Sequence, residues 1–238
     1  MRSDLSLFII NWSNRRCLEL CLKSYVKYHY NGEPLKLILG DNASTDDSLQ
    51  FYVDNGIPFY REPTNIGHEQ LIDKLYPRLT TKYVLLADSD ILFNENCSEY
   101  IDVLKDHAAA GDLITGDQLN SPIKPRLGAW FIAFDIERCR QAGITYFRNK
   151  SDWSYDCASQ FYENLWQNNL PVHIIPRLPG NIDSDVEGMR YGKFSHLLRM
   201  SWDLTKHADR EGEIMMRRKY VESRLNEFRD IDLKGKFI

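Results

Sequence analysis

The chain is poor in cysteine, and its few cysteines form no pattern. Five occur in 238 residues: Cys17, Cys21, Cys97, Cys139 and Cys157. The number is odd, and no two make a C-x-x-C pair. Cys17 and Cys21 stand one helical turn apart, with no second pair to complete a zinc site. Reduced thiols in a cytoplasmic protein are the expectation. Long hydrophobic runs are missing too. None approaches the ~18 residues of a membrane span. The run Leu5 to Ile10 has the length of a strand and does not read as a signal peptide. Attachment to a membrane would be peripheral at most. Basic charge is not in excess: 30 Lys and Arg face 34 Asp and Glu, for a net charge of -4. That balance argues against sequence-independent nucleic-acid binding. Neither G-x-G-x-x-G nor a P-loop is present, and there is no internal repeat. What remains is a composition of 43% hydrophobic and 27% charged residues. This is a globular chain, long enough to bury a core.

The first half alternates short apolar runs with helical patterns. Leu5 to Ile10 predicts a buried strand, and Arg15 to Tyr30 a helix with Leu18, Cys21, Leu22, Tyr25 and Val26 on one face. A second strand, Leu35 to Leu39, ends at Gly40-Asp41-Asn42-Ala43-Ser44-Thr45-Asp46-Asp47, where Ser44, Thr45 and Asp47 offer capping chemistry for a helix to about Val53. Ile57 to Tyr60 predicts a third strand. His68 to Leu79 predicts a helix that Pro77 bends or ends. Tyr83 to Ala87 predicts a fourth strand, ending at Asp88-Ser89-Asp90. Strand-then-helix order implies a parallel sheet with right-handed crossovers, and such sheets bind ligands at the carboxyl ends of their strands. Those ends carry Asn11, Asp41, Asp88 and Asp90.

The second half is less regular. Strands are expected at Gly111 to Gly116, Ala129 to Phe134 and Val172 to Ile175. A short helix is expected from about Ile136, and a long one over Ser151 to Asn169. A charged amphipathic helix is expected from about Asp203 to Phe228. Its mixed charges suit packing on the domain or on another subunit better than a membrane surface.

Asp88-Ser89-Asp90 is the strongest chemical feature. Two carboxylates one residue apart after a buried strand suit Mg2+ or Mn2+, which typically bridge a carboxylate and a substrate diphosphate. The plain alternative is a turn cap and a solvated carboxylate. Asp183-Ser184-Asp185 has the same letters but no strand before it, and reads as a solvated loop. Asp41, at its strand end, could accept from a nucleobase N-H or serve an Asx-turn.

Phe8-Ile9-Ile10-Asn11-Trp12, Asp41-Asn42-Ala43-Ser44-Thr45-Asp46, Asn65-Ile66-Gly67 and Asp88-Ser89-Asp90, in this order, resemble the family 2 type of GT-A glycosyltransferases. The resemblance is close over roughly the first hundred residues. It implies one α/β domain of GT-A, Rossmann-like type over 1–238, with a mostly parallel central sheet flanked by helices and a C-terminal amphipathic helix. Residues 1–95 would bind the nucleotide, 96–200 would carry the acceptor and catalytic half, and 201–238 would be a helical extension. The implied activity is transfer of a hexosyl-type sugar from a nucleoside diphosphate, with UDP the expected carrier, to a glycan or other hydroxyl. Asn11 and Asp41 would line the nucleoside pocket, and Asn65 and Gly67 its wall. Asp88 would face ribose and metal, Ser89 would join the nucleotide contacts, and Asp90 would bind Mn2+ or Mg2+.

Leu127-Gly128-Ala129-Trp130-Phe131 is similar to the family's strand before a short helix. The family's usual Glu-Asp pair is absent beyond it. Asp156 is the counterpart for the catalytic base, with Asp152, one turn earlier, the competing candidate. A lone base with direct displacement would invert the anomeric centre. His196 looks like the histidine that many GT-A enzymes bring to the metal, and a packed histidine is its alternative. Arg190, Lys193 and Arg199 stand near it for diphosphate contact. Trp130, Trp153 and Tyr155 fall in segments expected around the acceptor, with core packing an alternative of at least equal weight. The C-terminal helix could also serve oligomerisation. Two further readings stay open: a glycosyltransferase-like module that binds nucleotide or sugar without turnover, and a D-x-D phosphatase of haloacid-dehalogenase type. In that phosphatase type, Thr or Val should follow the second Asp closely, whereas Ile91-Leu92-Phe93 follow here.

Overall fold

The computed structural model describes residues 4–115, 123–144, 147, 156–180, 185–198, 200 and 211–238. Ten strands and seven α-helices occur among them. They are β1 (Leu5–Asn11), α1 (Arg15–His29), β2 (Lys36–Asp41), α2 (Ser48–Asn55), β3 (Tyr60–Arg61), α3 (His68–Leu75), β4 (Tyr83–Asp88), β5 (Ile91–Phe93) and α4 (Ser98–Asp102). The second half adds β6 (Ala109–Ile114), β7 (Arg126–Asp135), α5 (Ile136–Gln141), α6 (Ser159–Gln167), β8 (Val172–Ile174), β9 (Met189–Arg190), β10 (Phe194–His196) and α7 (Glu211–Glu227).

Seven strands form the central sheet in the order β3-β2-β1-β4-β7-β6-β8. β7 alone runs antiparallel to its neighbours β4 and β6. The expected mostly parallel α/β sheet flanked by helices is what the chain adopts. β1 is buried along its whole length, as a central parallel strand covered on both faces should be. Its side chains alternate between two cores. Leu7 and Ile9 join the core beneath α1, with Leu85 and Phe131. Phe8 and Ile10 join the opposite core with α3, α5 and α6. Asp135 ends β7 and caps α5, accepting hydrogen bonds from the backbone N-H groups of Glu137 and Arg138.

A second, antiparallel sheet of order β5-β10-β9 lies beyond Asp90. Its strands have two or three residues each, too few to show a period in the sequence. It is clamped to the main sheet by Phe194, whose ring stacks on Phe131 at 3.7 Å. Outside α1, Val221, Leu225 and Phe228 pack on Cys17 and Leu20. The apolar face of α7 is therefore used within the chain. Arg217, on the same helix, is fully buried and donates to the backbone carbonyls of Asp185 and Leu198, on either side of the small sheet.

Several expected elements change length. The third strand shrinks to Tyr60–Arg61, because Gly56 closes α2 in the left-handed region and Pro58 has no N-H to donate. The helix expected to Leu79 ends at Leu75, with Pro77 in a 3-10 turn. The helix expected from Ser151 begins, among described residues, at Ser159, because Ala158 has φ +65°. Trp166 of α6 is 73% exposed. Phe161 and Leu165 are four apart and share a face, whereas Trp166 lies one residue, about 100°, further round. The C-terminal helix is described from Glu211, and residues 201–210 lie outside the described set. No helix among the described residues is long and apolar enough to cross a membrane.

Candidate functional site

Parallel pairing sets the carboxyl ends of β2, β1 and β4 side by side: Asn11 pairs with Asp41, and Ile10 with Asp88. A cleft of about 540 Å³ opens above these ends. Asn65, Gly67, Asp88, Ser89, Asp90 and His196 all line it. His68, Trp12, Asn14, Asn42 and Leu198 line it as well, and no role was expected for them from the sequence.

Three ligand-type side chains meet in the cleft. Asp88 ends β4 and is half-buried. Asp90 lies in the turn to β5 and His196 on β10, and both are buried. Antiparallel pairing brings His196 opposite Ile91, next to Asp90. His196 Nε2 stands 3.2 Å from Asp90 Oδ1 and 3.8 Å from Asp88 Oδ2. One ligand atom from each residue falls within 4.8 Å of the others. Burial opposes charge on Asp90. The His196 imidazole and the backbone N-H groups of Asp90 and Met200 outweigh it and hold the carboxyl below its ordinary pKa. Two carboxylates and an imidazole on one point suit Mn2+ or Mg2+.

The second half fixes the plane of the His196 ring. Trp130 stacks on it, with ring centroids 5.2 Å apart. Trp130 Nε1 donates to Tyr191 Oη at 3.1 Å, Tyr191 Oη donates to Asp112 Oδ2 at 2.8 Å, and Arg177 pairs with the same carboxylate at 2.6 Å. Gly128 makes this geometry available, because a Cβ there would sit 2.4 Å from the Trp130 ring. Trp130, which the sequence left open between an acceptor aromatic and a packed one, braces a candidate ligand. A glycine two residues before it on the strand was the available signal.

Asn11 and Asp41, expected to line the nucleoside pocket, do not line this cleft. Both are fully buried. The Asn11 amide meets the hydroxyls of Ser44, Ser48 and Tyr52. Asp41 accepts from the Ser44 N-H and the Tyr52 hydroxyl, both at 2.9 Å. The pair shapes the loop after β2 from beneath, in the manner of an Asx-turn. Asn42, one residue on, faces the cleft instead. Its amide donates to Asn65 Oδ1, which also accepts from the Gly67 N-H. Gly67 opens α3 with φ +93°, a conformation suited to glycine.

Asp156 is partly exposed at the turn before α6. It pairs with Arg126 at 2.8 Å and is not among the cleft-lining residues. Arg190 is taken by Asp185 and Lys193 by Glu95, and neither lines the cleft. Asp152, Trp153, Tyr155, Asp183, Ser184 and Arg199 lie outside the described residues.

His68 is the group for which the sequence offered no role. Its Nε2 stands 3.1 Å from Asp88 Oδ1, and its Nδ1 3.6 Å from Cys157 Sγ. Burial disfavours the imidazolium, but the Asp88 charge prevails and raises its pKa well above the ordinary value.

This sheet order, with the site at the strand ends, is the GT-A fold of glycosyltransferases. Solved structures share it. The mannosyltransferase PcManGT from Pyrobaculum calidifontis, solved with GDP-Man and Mn2+, has a TM-score of 0.54 and 14% identity, over 74% of this chain and 55% of that one. Residues 1–349 of S. aureus TarS, solved with UDP-GlcNAc, have a TM-score of 0.54 and 15% identity, over 72% and 55%. The same TarS residues solved with UDP match at 0.54 and 14%, over 72% and 57%. The chain thus spans little more than half of these neighbours' length, and the likeness is one of fold. No protein-family model and no curated protein sequence matches the chain.

Proposed function

We propose that the protein is a metal-dependent glycosyltransferase that takes its sugar from a nucleoside diphosphate. The observation that carries this reading is the convergence of Asp88, Asp90 and His196 within 4.8 Å in a cleft at the strand ends of a GT-A sheet. Fold neighbours solved with GDP-Man and Mn2+, and with UDP-GlcNAc, support it.

Asp88, Asp90 and His196 would hold Mn2+ or Mg2+, and the ion would offset the charge that gathers on a departing diphosphate. Asn65, Gly67 and Ser89 would border the nucleotide. Asn11 and Asp41 would act from beneath, by holding the loop that presents Asn42. UDP is the proposed carrier and a glycan hydroxyl the proposed acceptor. Residues 1–95 would serve the donor, 96–200 the acceptor, and 201–238 would brace both.

An acceptor hydroxyl needs a base at neutral pH. Asp156 is the proposed base. Its carboxylate must first leave Arg126 to take the acceptor's proton, and an acceptor oxygen attacking opposite the leaving diphosphate would invert the anomeric centre. The Arg126 contact also favours a second reading, a module that binds donor without turnover. The GT-A sheet order supports either reading over the haloacid-dehalogenase type.

Calorimetric titration of UDP and GDP, with and without Mn2+, tests the donor site on wild type and Asp90→Ala. Binding of one nucleotide that requires both Mn2+ and Asp90 is expected. A folded wild type that binds neither would count against both carriers. In Asp156→Asn, transfer should fall by about 10²- to 10⁴-fold with nucleotide binding intact. Unchanged transfer would remove Asp156 as the base. Binding with no transfer by wild type, across donors and acceptors, would favour the module.

A further inference from the structure

We infer that His68 is a positioning residue that ties the metal-side carboxylate of Asp88 to the chain segment carrying Asp156; the inference rests on the donor-site reading above. His68 belongs to α3, Asp88 to β4, and Cys157 to the turn before α6. Those three elements meet at one imidazole. Its Nε2 faces Asp88 Oδ1 at 3.1 Å and its Nδ1 faces Cys157 Sγ at 3.6 Å. His68 Nε2 and Asp88 Oδ1 are both buried atoms that make no hydrogen bond, so the ion-pair approach at 3.1 Å is the polar contact each has. Each therefore has only the other to offset its lost water.

The contact has a geometric consequence. With Oδ1 of Asp88 held by His68, Oδ2 is the oxygen left toward His196, at 3.8 Å. His68 itself is outside the Asp88, Asp90 and His196 cluster, so it sets a ligand's orientation without being one of the three. On its other side it holds Cys157, the residue after Asp156. A cation drawn to Asp88 would thus be felt, through one ring, at the start of α6. That is a coupling between the donor and acceptor halves.

The test uses Mn2+, alone and with UDP, titrated into wild type, Asp90→Ala, His68→Ala and His68→Gln, with folding of each checked by circular dichroism. A glutamine amide can place a donor where Nε2 stands. His68→Ala should weaken Mn2+ about ten- to a hundredfold, as loss of a partner behind a ligand does, and His68→Gln should recover most of that. A second readout is the alkylation rate of Cys157 by iodoacetamide, followed by peptide mass; the other four cysteines are buried. Mn2+ should slow alkylation in wild type and have no effect on it in His68→Ala. Wild-type Mn2+ affinity in His68→Ala, no recovery in His68→Gln, or equal protection of Cys157 in wild type and His68→Ala would each overturn the inference. Failure of wild type to bind Mn2+, or equal binding by Asp90→Ala, would overturn the donor-site reading and this inference with it.

Discussion

The two halves of the chain build their parts of the cleft in different ways. In the first, residues 4–95, the site residues stand at or just beyond a strand end or just before a helix, close in sequence to the element that places them. In the second, His196 is delivered by a three-residue strand, and that strand is held by Phe131 and Trp130 of β7, Arg217 of α7 and the close approach of Gly188, from three separate segments. The first half offers side chains from the ends of regular parallel strands. The second half has a scaffold that exists only because distant pieces close on one another. Defects should therefore reach the Asp88, Asp90 and His196 cluster from far away in the second half and remain local in the first.

The largest expected effect is at the clamp between the sheets. Phe194→Ala removes a fully buried ring stacked on Phe131 and should cost about 3–5 kcal/mol in urea unfolding. Mn2+ affinity should fall with it, because His196 is two residues along the same strand. Unchanged Mn2+ affinity in a destabilised variant would break the contrast drawn here.

Next comes a pH effect at the seam between the halves. His29 on α1 accepts from the Cys97 N-H through Nε2, and its Nδ1 faces the Tyr25 carbonyl at 3.0 Å. Burial is the main cause that lowers its pKa to about 4. The unfolded imidazole binds a proton near pH 6.5, where the folded one does not. Stability is therefore full above about 6.5 and drains away as pH falls toward 4. The loss should be about 3 kcal/mol, from the shift between those two values. Chemical unfolding at pH 7 and pH 4.5 captures most of it, about 2 kcal/mol, and His29→Gln should flatten the difference. An equal acid loss in His29→Gln would assign the effect to other groups.

The smallest effect is the sharpest comparison. Gly188 and Gly56 have nearly the same positive φ, +65° and +62°. A Cβ at Gly188 would lie 2.3 Å from the His196 carbonyl oxygen, whereas one at Gly56 meets nothing within 4 Å. Gly188→Ala should cost about 1–3 kcal/mol and weaken Mn2+ binding. Gly56→Ala should cost about 1 kcal/mol of backbone strain and leave Mn2+ binding alone. Equal Mn2+ affinities in the two variants would remove the distinction.

The same asymmetry decided what the sequence could show. β1, β2 and β4 are legible because parallel strands covered on both faces are continuous apolar runs that end in a polar residue. Asp88 and Asp90 stood out by that position, whereas the identical triplet at Asp183 has no strand before it. Asn11 and Asp41 were visible as strand-end polars, yet nothing in the letters says whether such a residue faces the cleft or the loop beneath it. That depends on Tyr52, which arrives from α2 to occupy both. β5, β9 and β10 are too short for any period to register. Arg217 looks like one more charge on a charged helix, and only packing shows it to be buried. His68 acquires meaning from Cys157, 89 positions away, a distance over which local patterns are silent.

The wide separation of His196 from the two carboxylates bears on how the protein is made. Synthesis proceeds from the N-terminus, so Asp88 and Asp90 emerge from the ribosome long before the strand that completes their cluster. Until β10 docks on β5, a nascent chain offers a cation the two carboxylates without His196. Tight metal capture would then have to wait for closure of the second sheet. A growing chain would be spared premature trapping of an ion, and ion retention by stalled chains of increasing length would report the moment when the last strand closes.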